Sequence, residues 1–330
     1  MRKIHWGVIS TASIGMLEVL PAMQKGQYIQ LVGIASRSLE KAKHVANQIG
    51  IPKAYGSYDE LLADPEIEAV YIPLPNHLHV PWSIKALEAG KHVLCEKPLG
   101  LDAEDARRLL EVSRRYPRLK VMEAFMYRHH PQWHLVTKLV RAGEIGELRS
   151  IHTFFNYYLI DPVNVRNQAD IGGGGMLDVG CYAVSSSRLV FEAEPMRAFA
   201  AMDIDPQFKT DRLTAGILEF ERGIATFTCS TQLADYQRVN ILGTLGQVEL
   251  DLPFNPPVGK PARVRLQNAK GVREFEQEVC DQFTIQGDLF SRAILEDTPV
   301  PTPLEDAIDN MTAIDALFQS ARTGRWVSVA

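Results

Sequence analysis

The feature that most constrains this chain is the alternation in its first 125 residues. Short apolar runs take turns with longer segments of helical periodicity. Ile4–Ile9 is largely apolar with no in–out alternation, as expected of a strand covered on both faces. A helical pattern follows from about Ile14 to Lys25, then a strand over Ile29–Ala35. Ser38 opens the next helix, which runs to about Ile49. A serine there accepts a hydrogen bond from the free N–H groups of the first turn. The series continues with a strand at Ala69–Ile72, a helix from about Pro81 to Ala89 stopped by Gly90, and a strand at His92–Cys95. A helix at Ala103–Tyr116 and a strand at Lys120–Ala124 complete it. Strands joined by helices of this length need crossovers, so the pattern predicts a doubly wound parallel sheet with right-handed connections.

The texture changes after about Arg128. Pro131–Ala142 reads as a helix, and residues 148–252 are strand-rich. Glu221-Arg222-Gly223 is a hairpin-like turn between Ala215–Phe220 and Ala225–Ser230. A second turn, Gly243–Gly246, joins Val239–Leu242 to Val248–Leu252. A helix from about Met176 to Phe191 interrupts the strands, and helices near Phe283–Leu295 and Leu304–Thr323 close the chain. Residues 253–261 are proline-rich and read as an irregular loop. The chain is thus expected to hold an α/β domain with a doubly wound parallel sheet at residues 1–125 and an α+β domain at residues 126–330. The second would carry a large, mostly antiparallel open sheet, with the final helix packing back on the first domain. A length of 330 residues is ample for two cores.

Composition excludes several classes. With 46% hydrophobic and 23% charged residues, the chain has the balance of a globular protein. A net charge of −5 supplies no basic field for nucleic acid. No apolar run approaches the ~20 residues that span a bilayer. The short apolar stretch near the N-terminus lacks a cleavage pattern and reads as a buried strand rather than a signal peptide. Cys95, Cys181, Cys229 and Cys280 are far apart with no CxxC, which suits reduced thiols in a cytoplasmic protein and argues against a zinc site.

Four segments carry chemistry. The first is the turn after the first strand, where Ser10, Ala12 and Gly15 fall on the three glycine positions of the GxGxxG fingerprint. Serine and alanine keep the turn small, and the helix that follows presents N–H groups to a phosphate; an ordinary strand-to-helix turn has the same look. The second is Ser36-Arg37-Ser38, at the end of the next strand, where NAD-binding folds often place an acid. Arg37 could instead face a 2′-phosphate, which favours NADP over NAD, or be a solvated loop arginine. The third comprises the two strand ends Pro73–His79 and Cys95–Leu99, which border the ligand crevice of an open parallel sheet. The fourth is Gly172–Gly175 followed by Asp178 and Tyr182, four apart and so expected on one helix face.

Together with Trp6-Gly7, Tyr55–Tyr58, Glu123–Arg128 and Pro301–Ala307, these segments resemble the glucose–fructose oxidoreductase, inositol dehydrogenase and rhizopine-catabolism (Gfo/Idh/MocA) family over nearly the whole chain. The resemblance is strongest to the branch with dimeric dihydrodiol dehydrogenase and NADP-linked D-xylose dehydrogenase. It implies a cis Lys97–Pro98 bond, with Lys97 near the reacting oxygen and Tyr182 as the acid/base. Asp178 would bind a substrate hydroxyl or orient Lys97. The cofactor set it implies is Ser10, Thr11, Ala12, Ser13 and Ile14; Ser36 and Arg37; Leu74, Pro75, Asn76 and His79, the last near the nicotinamide; Glu96 and Lys97; and Arg166. It also implies a homodimer or homotetramer formed through the second-domain sheet.

A free tyrosine has a pKa of about 10, and a neighbouring ammonium would lower it toward a working base. The expected activity is therefore hydride transfer between a nicotinamide and a secondary alcohol or carbonyl of a sugar, polyol or cyclic diol. Two other readings remain: a glycoside hydrolase using tightly held NAD for transient oxidation, and a non-catalytic NADPH-sensing protein. Arg37→Ala should raise the KM for NADP at least ten-fold while leaving that for NAD within about two-fold, the loss of roughly one charged hydrogen bond; steady-state kinetics with both cofactors reads this directly.

Overall fold

The computed structural model describes residues 2–329, and these divide into two compact units. The first unit comprises residues 2–100, 104–126 and 281–308. Its sheet has six strands, β1 (Ile4–Ile9), β2 (Ile29–Ala35), β3 (Lys53–Tyr55), β4 (Ala69–Ile72), β5 (His92–Cys95) and β6 (Val121–Glu123). Their order is β3-β2-β1-β4-β5-β6, and every pair is parallel. The order reverses between β1 and β4, so a crevice opens at the carboxyl ends of those strands. Helices α1 (Leu20–Met23), α2 (Leu39–Ile49), α3 (Tyr58–Ala63), α4 (His79–Glu88) and α5 (Ala103–Ser113) form the crossovers.

The local reasons are visible. The Ser38 hydroxyl accepts the Lys41 N–H at 3.3 Å and so starts α2, while Gly90, at φ 76°, ends the turn after α4. The first crossover departs from the expected regular helix over Ile14–Lys25: Gly15–Val19 is a π-helical turn, and only Leu20–Met23 is α-helical. Two elements escaped the periodicity reading, β3 and α3. The first is three half-buried residues at the sheet edge, and the second is a six-residue helix capped by Ser57, whose hydroxyl accepts the Glu60 N–H. Both are too short to express a period.

The second unit comprises residues 101–103, 127–280 and 309–329. Helices α6 (Pro131–Arg141) and α7 (Cys181–Phe191) accompany nine strands: β7 (Leu148–Tyr158), β8 (Arg197–Ile204), β9 (Asp211–Phe220), β10 (Gly223–Ser230), β11 (Gln232–Gly243), β12 (Gly246–Leu250), β13 (Arg263–Asn268), β14 (Gly271–Glu276) and β15 (Val327–Ser328). The order is β14-β13-β12-β11-β7-β10-β9-β8-β15, antiparallel except for the parallel pair β7 and β10. Ile151, Thr153 and Phe155 of β7 are buried, and the residues between them are less so, the period-two signature of a sheet with one covered face. The sheet runs past the expected limit near Leu252. In β13, buried Val264 and Leu266 alternate with Arg263 and Arg265, a pattern present in the sequence but masked by the proline-rich loop before it.

Two helices remain, α8 (Gln282–Leu295) and α9 (Leu304–Thr323). The segment that returns to the first unit is 281–308, which holds α8 and the start of α9, not the final helix as a whole. Its anchors are polar. The Asp288 carboxylate accepts the N–H groups of Gln27 and Tyr28, each at 2.9 Å, and the Trp6 indole donates to Ser291 Oγ at 3.1 Å. Phe290 packs against the buried Trp6 ring at 5.6 Å between centroids. Asp288→Ala removes a charged acceptor from both N–H groups ahead of β2, and about 1–2 kcal/mol of stability should go with it. Urea unfolding should show a lower midpoint with an unchanged slope.

Candidate active site

In the first unit, the turn after β1 brings Ser10, Thr11, Ala12, Ser13 and Ile14 to the carboxyl end of the sheet. Ser10 stands at φ 114°, a conformation glycine adopts freely and other residues rarely do. The first fingerprint position therefore keeps the backbone geometry that glycine normally supplies, although the residue is serine. Ser10 N–H is tied to Ala35 O at 3.1 Å, which seats the turn against the end of β2. There Ser36 is buried, its Oγ accepting the Ser38 N–H. Arg37 is exposed and makes no ion pair or hydrogen bond with any described residue.

The ends of β4 and β5 are built around one imidazole. His79, only 1% exposed, places Nδ1 at 2.7 Å from Pro98 O and Nε2 at 2.7 Å from Leu74 O. Burial, aided by the Lys97 charge, outweighs the two carbonyls and pushes its pKa down to about 4. The neutral ring carries one N–H, so it donates to one carbonyl at a time. His79, expected among the cofactor contacts near the nicotinamide, lies between a carbonyl of the loop after β4 and one of the loop after β5. The bond between Lys97 and Pro98 is cis. Glu123, buried at the end of β6, accepts the Leu99 N–H at 2.7 Å. The Tyr71 hydroxyl donates to Glu96 Oε1 at 2.7 Å. Lys97 thus stands in a loop held by buried or half-buried groups from β4, α4 and β6. Leu74 is buried, Pro75 and Asn76 are half-buried, and Asn76 opens the short turn that leads into α4. Next to it, His77 Nδ1 is buried without a hydrogen-bond partner.

In the second unit the glycine-rich segment packs backbone to backbone. Gly174 N–H donates to Arg166 O and Gly173 N–H to Gln168 O, both at 2.9 Å. A Cβ on Gly173 would stand 2.6 Å from Gln168 O, and one on Gly174 2.0 Å from Asp211 Oδ1. No side chain fits either place. Asp211, buried at the start of β9, accepts the Met176 N–H at 2.7 Å and the Thr214 hydroxyl at 2.8 Å. Burial lifts its pKa to about 6.

The loop held by the glycines delivers Arg166 to Asp178. Asp178 Oδ2 accepts Arg166 Nε–H at 2.9 Å and also the Tyr157 hydroxyl. Asp178 strengthens the cation of Arg166, raising its pKa, while burial and then the Asp178 charge raise that of Tyr157. Arg166, expected among the cofactor contacts, has Asp178 as its ionic partner. The segment carrying Asp178 is also not the regular helix expected. Met176–Gly180 forms a π-helical turn, with Cys181 N–H reaching back five residues to Met176 O, and α7 begins after it. Tyr182 sits in an aromatic cluster with Tyr127, Phe155 and Phe254 at centroid distances of 5.7, 5.4 and 5.2 Å, which fixes its ring. The roles of Tyr71, Tyr157 and Asp211 carried no local sequence signal, because each acts on a residue distant in the chain; Glu123 stood in a segment of the resemblance, but its hold on Leu99 N–H could not be read there.

Comparison with known proteins agrees with this architecture. Residues 4–125 match an oxidoreductase family with an NAD-binding Rossmann fold, and residues 133–249 match the GFO/IDH/MocA C-terminal domain. An uncharacterised oxidoreductase of Rhizobium meliloti is 45% identical over 100% of both chains. A D-xylose 1-dehydrogenase (NADP+) of Haloferax volcanii is 36% identical over 98% of this chain and 99% of its own. A 3-ketoreductase from Actinomadura kijaniata, solved with NADP and TDP-benzene, superposes with a TM-score of 0.91 at 31% identity, covering 97% of this chain and 98% of that one. A six-stranded parallel unit in the dinucleotide-binding order, a nine-stranded mostly antiparallel unit and these matches together place the chain in the Gfo/Idh/MocA family of NAD(P)-dependent oxidoreductases.

Proposed function

We propose that this oxidoreductase is NADP-linked and acts on a secondary alcohol or the matching carbonyl of a sugar, polyol or cyclic diol, with Tyr182 as acid/base and Lys97 as its electrostatic partner. The observation that carries the reading is the loop of Lys97, whose neighbours are bound by His79, Glu123 and Tyr71. A surface lysine needs no such support.

The residues present fit a phosphorylated dinucleotide. The turn at Ser10 has the conformation for close backbone approach, and the guanidinium of Arg37 is unclaimed at the end of β2. His77 Nδ1 is an orphaned polar atom beside Asn76. Ser10–Ile14, Ser36, Arg37, Leu74, Pro75, Asn76 and Glu96 would hold the cofactor. The D-xylose dehydrogenase and the 3-ketoreductase are both linked to NADP in their own names or complexes. When bound, the nicotinamide gives or takes the hydride.

The chain supplies the proton and the field. In oxidation, the substrate hydroxyl proton passes to Tyr182 Oη, and in reduction Tyr182 returns it. The Lys97 ammonium stabilises the oxygen as negative charge develops there. Asp178, already neutralised by Arg166, accepts a hydrogen bond from a second substrate hydroxyl, which suits a polyhydroxylated ligand. The sheet of the second unit exposes Ile224 and Tyr236 beside half-buried Phe154 and Phe199, and self-association as a dimer or tetramer is assigned to that face.

The test is single-turnover hydride transfer followed at the NADPH absorbance band, across a sugar and polyol panel that includes D-xylose. Lys97→Ala and Tyr182→Phe should each slow the step at least about a hundred-fold, the low end for a lost acid/base group. Near wild-type rates in both variants would refute the assignment.

A further inference from the structure

Asp211 lies outside the roles assigned so far. It is a buried carboxylate, 4% exposed, at the first position of β9. Two contacts join it to the segment that bears Asp178 and Tyr182, and a hydrogen bond carries the second one on to Asp178. Oδ2 accepts the N–H of Met176, the first residue of the π-helical turn. Oδ1 occupies the space that a Cβ on Gly174 would need. Gly174 O in turn accepts the Asp178 N–H at 3.2 Å. One carboxylate therefore fixes where the turn starts, and its glycine neighbour fixes where Asp178 follows.

We propose that Asp211 is a positioning residue for the Asp178–Tyr182 segment, and that its negative charge as well as its shape governs how that segment works. The proposal rests on the roles given above to Asp178 and Tyr182. Its physical basis is an asymmetry between two carboxylates, the charge of one acting on the other. Asp178 is compensated by the Arg166 cation and the Tyr157 hydroxyl. The donors to Asp211 are neutral: Met176 N–H, the Thr214 hydroxyl and its own N–H. The other titratable group facing it is the Cys229 thiol of β10, which burial pushes up and keeps neutral. Burial is the main cause of the rise of the Asp211 pKa to about 6, and the Asp178 charge adds to it.

Around pH 6 a full charge then enters or leaves the base of the segment carrying Tyr182. When Asp211 is ionised, its charge strengthens the hold on Met176 N–H, at the start of the segment that carries Tyr182. When it is neutral, that hold weakens.

For stability the sign is fixed by the same shift. The folded pKa lies above the ordinary carboxylate value of 3.8, so the stabilising contribution is full below about pH 4 and is lost as pH rises through 6.

The test compares full-length wild type with Asp211→Asn and Asp211→Ala. Asparagine keeps an oxygen acceptor in the same place and removes the charge. In wild type, kcat on the fastest substrate of the panel should show an inflection near pH 6 of about three- to ten-fold, which Asp211→Asn should lack. The Tm of wild type relative to Asp211→Asn should fall by several degrees between pH 4.5 and 7. Asp211→Ala should lower kcat at least ten-fold with the cofactor KM unchanged, and Asp211→Asn should hold, at pH 7, the kcat that wild type shows on the acid side of its inflection. The proposal is overturned if the pH profile and the Tm difference of Asp211→Asn superimpose on wild type, or if a folded Asp211→Ala keeps the wild-type kcat. If the alanine variant does not fold, the asparagine comparison decides. The Tm comparison needs no turnover, so it stands apart from any failure of Tyr182 or Lys97 as catalytic groups.

Discussion

Buried side chains gripping main-chain atoms are the constraint on which the loop of Lys97 and, separately, the segment of Asp178 depend. His79 spans the carbonyls of Leu74 and Pro98, Glu123 takes the N–H of Leu99, and Asp211 takes the N–H of Met176. Leaving such a group unpaired costs about 1–3 kcal/mol, more if it is charged. Every alternative path of these loops carries that penalty. A flexible connection is thereby converted into a platform, which is what hydride transfer needs, since the reacting atoms must meet at close and oriented range. The glycines at 173 and 174 serve the same end from the opposite direction, since they remove the atoms that would keep these partners apart.

Charge is distributed with equal economy. Asp178, Arg166 and Tyr157 form a compact group in which the carboxylate is neutralised before any ligand arrives. A carboxylate in that state can still orient a hydroxyl without imposing a bare negative charge on a developing alkoxide. The buried histidines follow the same logic. His79, His129 and His130 are all pushed down to about 4 by burial, so near neutrality they are uncharged and add no positive charge to the field.

What could be read from residues alone was whatever is local or periodic. The parallel sheet followed from the alternation of apolar runs and helices; the start of α2 followed from Ser38, and the turn after α4 from Gly90. The Lys97 and Asp178–Tyr182 segments were visible as short motifs. What could not be read was set by partners far along the chain. Nothing near His79 says that Pro98 O, nineteen residues later, will claim its ring. Arg166 is twelve residues from Asp178, and the glycine turn that unites them contributes no side-chain signal. Asp211 is thirty-five residues from Met176 and resembles any polar residue at the start of a strand. The strand β3 and the helix α3 were lost for a different reason, being shorter than the repeat by which they would be recognised.

The π-helical turn at Met176–Gly180 has a consequence for how this segment can vary. A π turn holds one residue more than an α turn over the same hydrogen-bonded span. That extra residue sits between the glycines, which are fixed by Asp211, and α7, which is fixed by its packing. Successive residues of an α-helix are rotated by about 100°. Deleting a single residue from the turn would let the helix become regular, yet it would swing Asp178 roughly a quarter turn away from Arg166 and Tyr157 while Tyr182 stayed in its aromatic nest. The segment is therefore a vernier: its length, more than its composition, sets the phase between Asp178 and Tyr182.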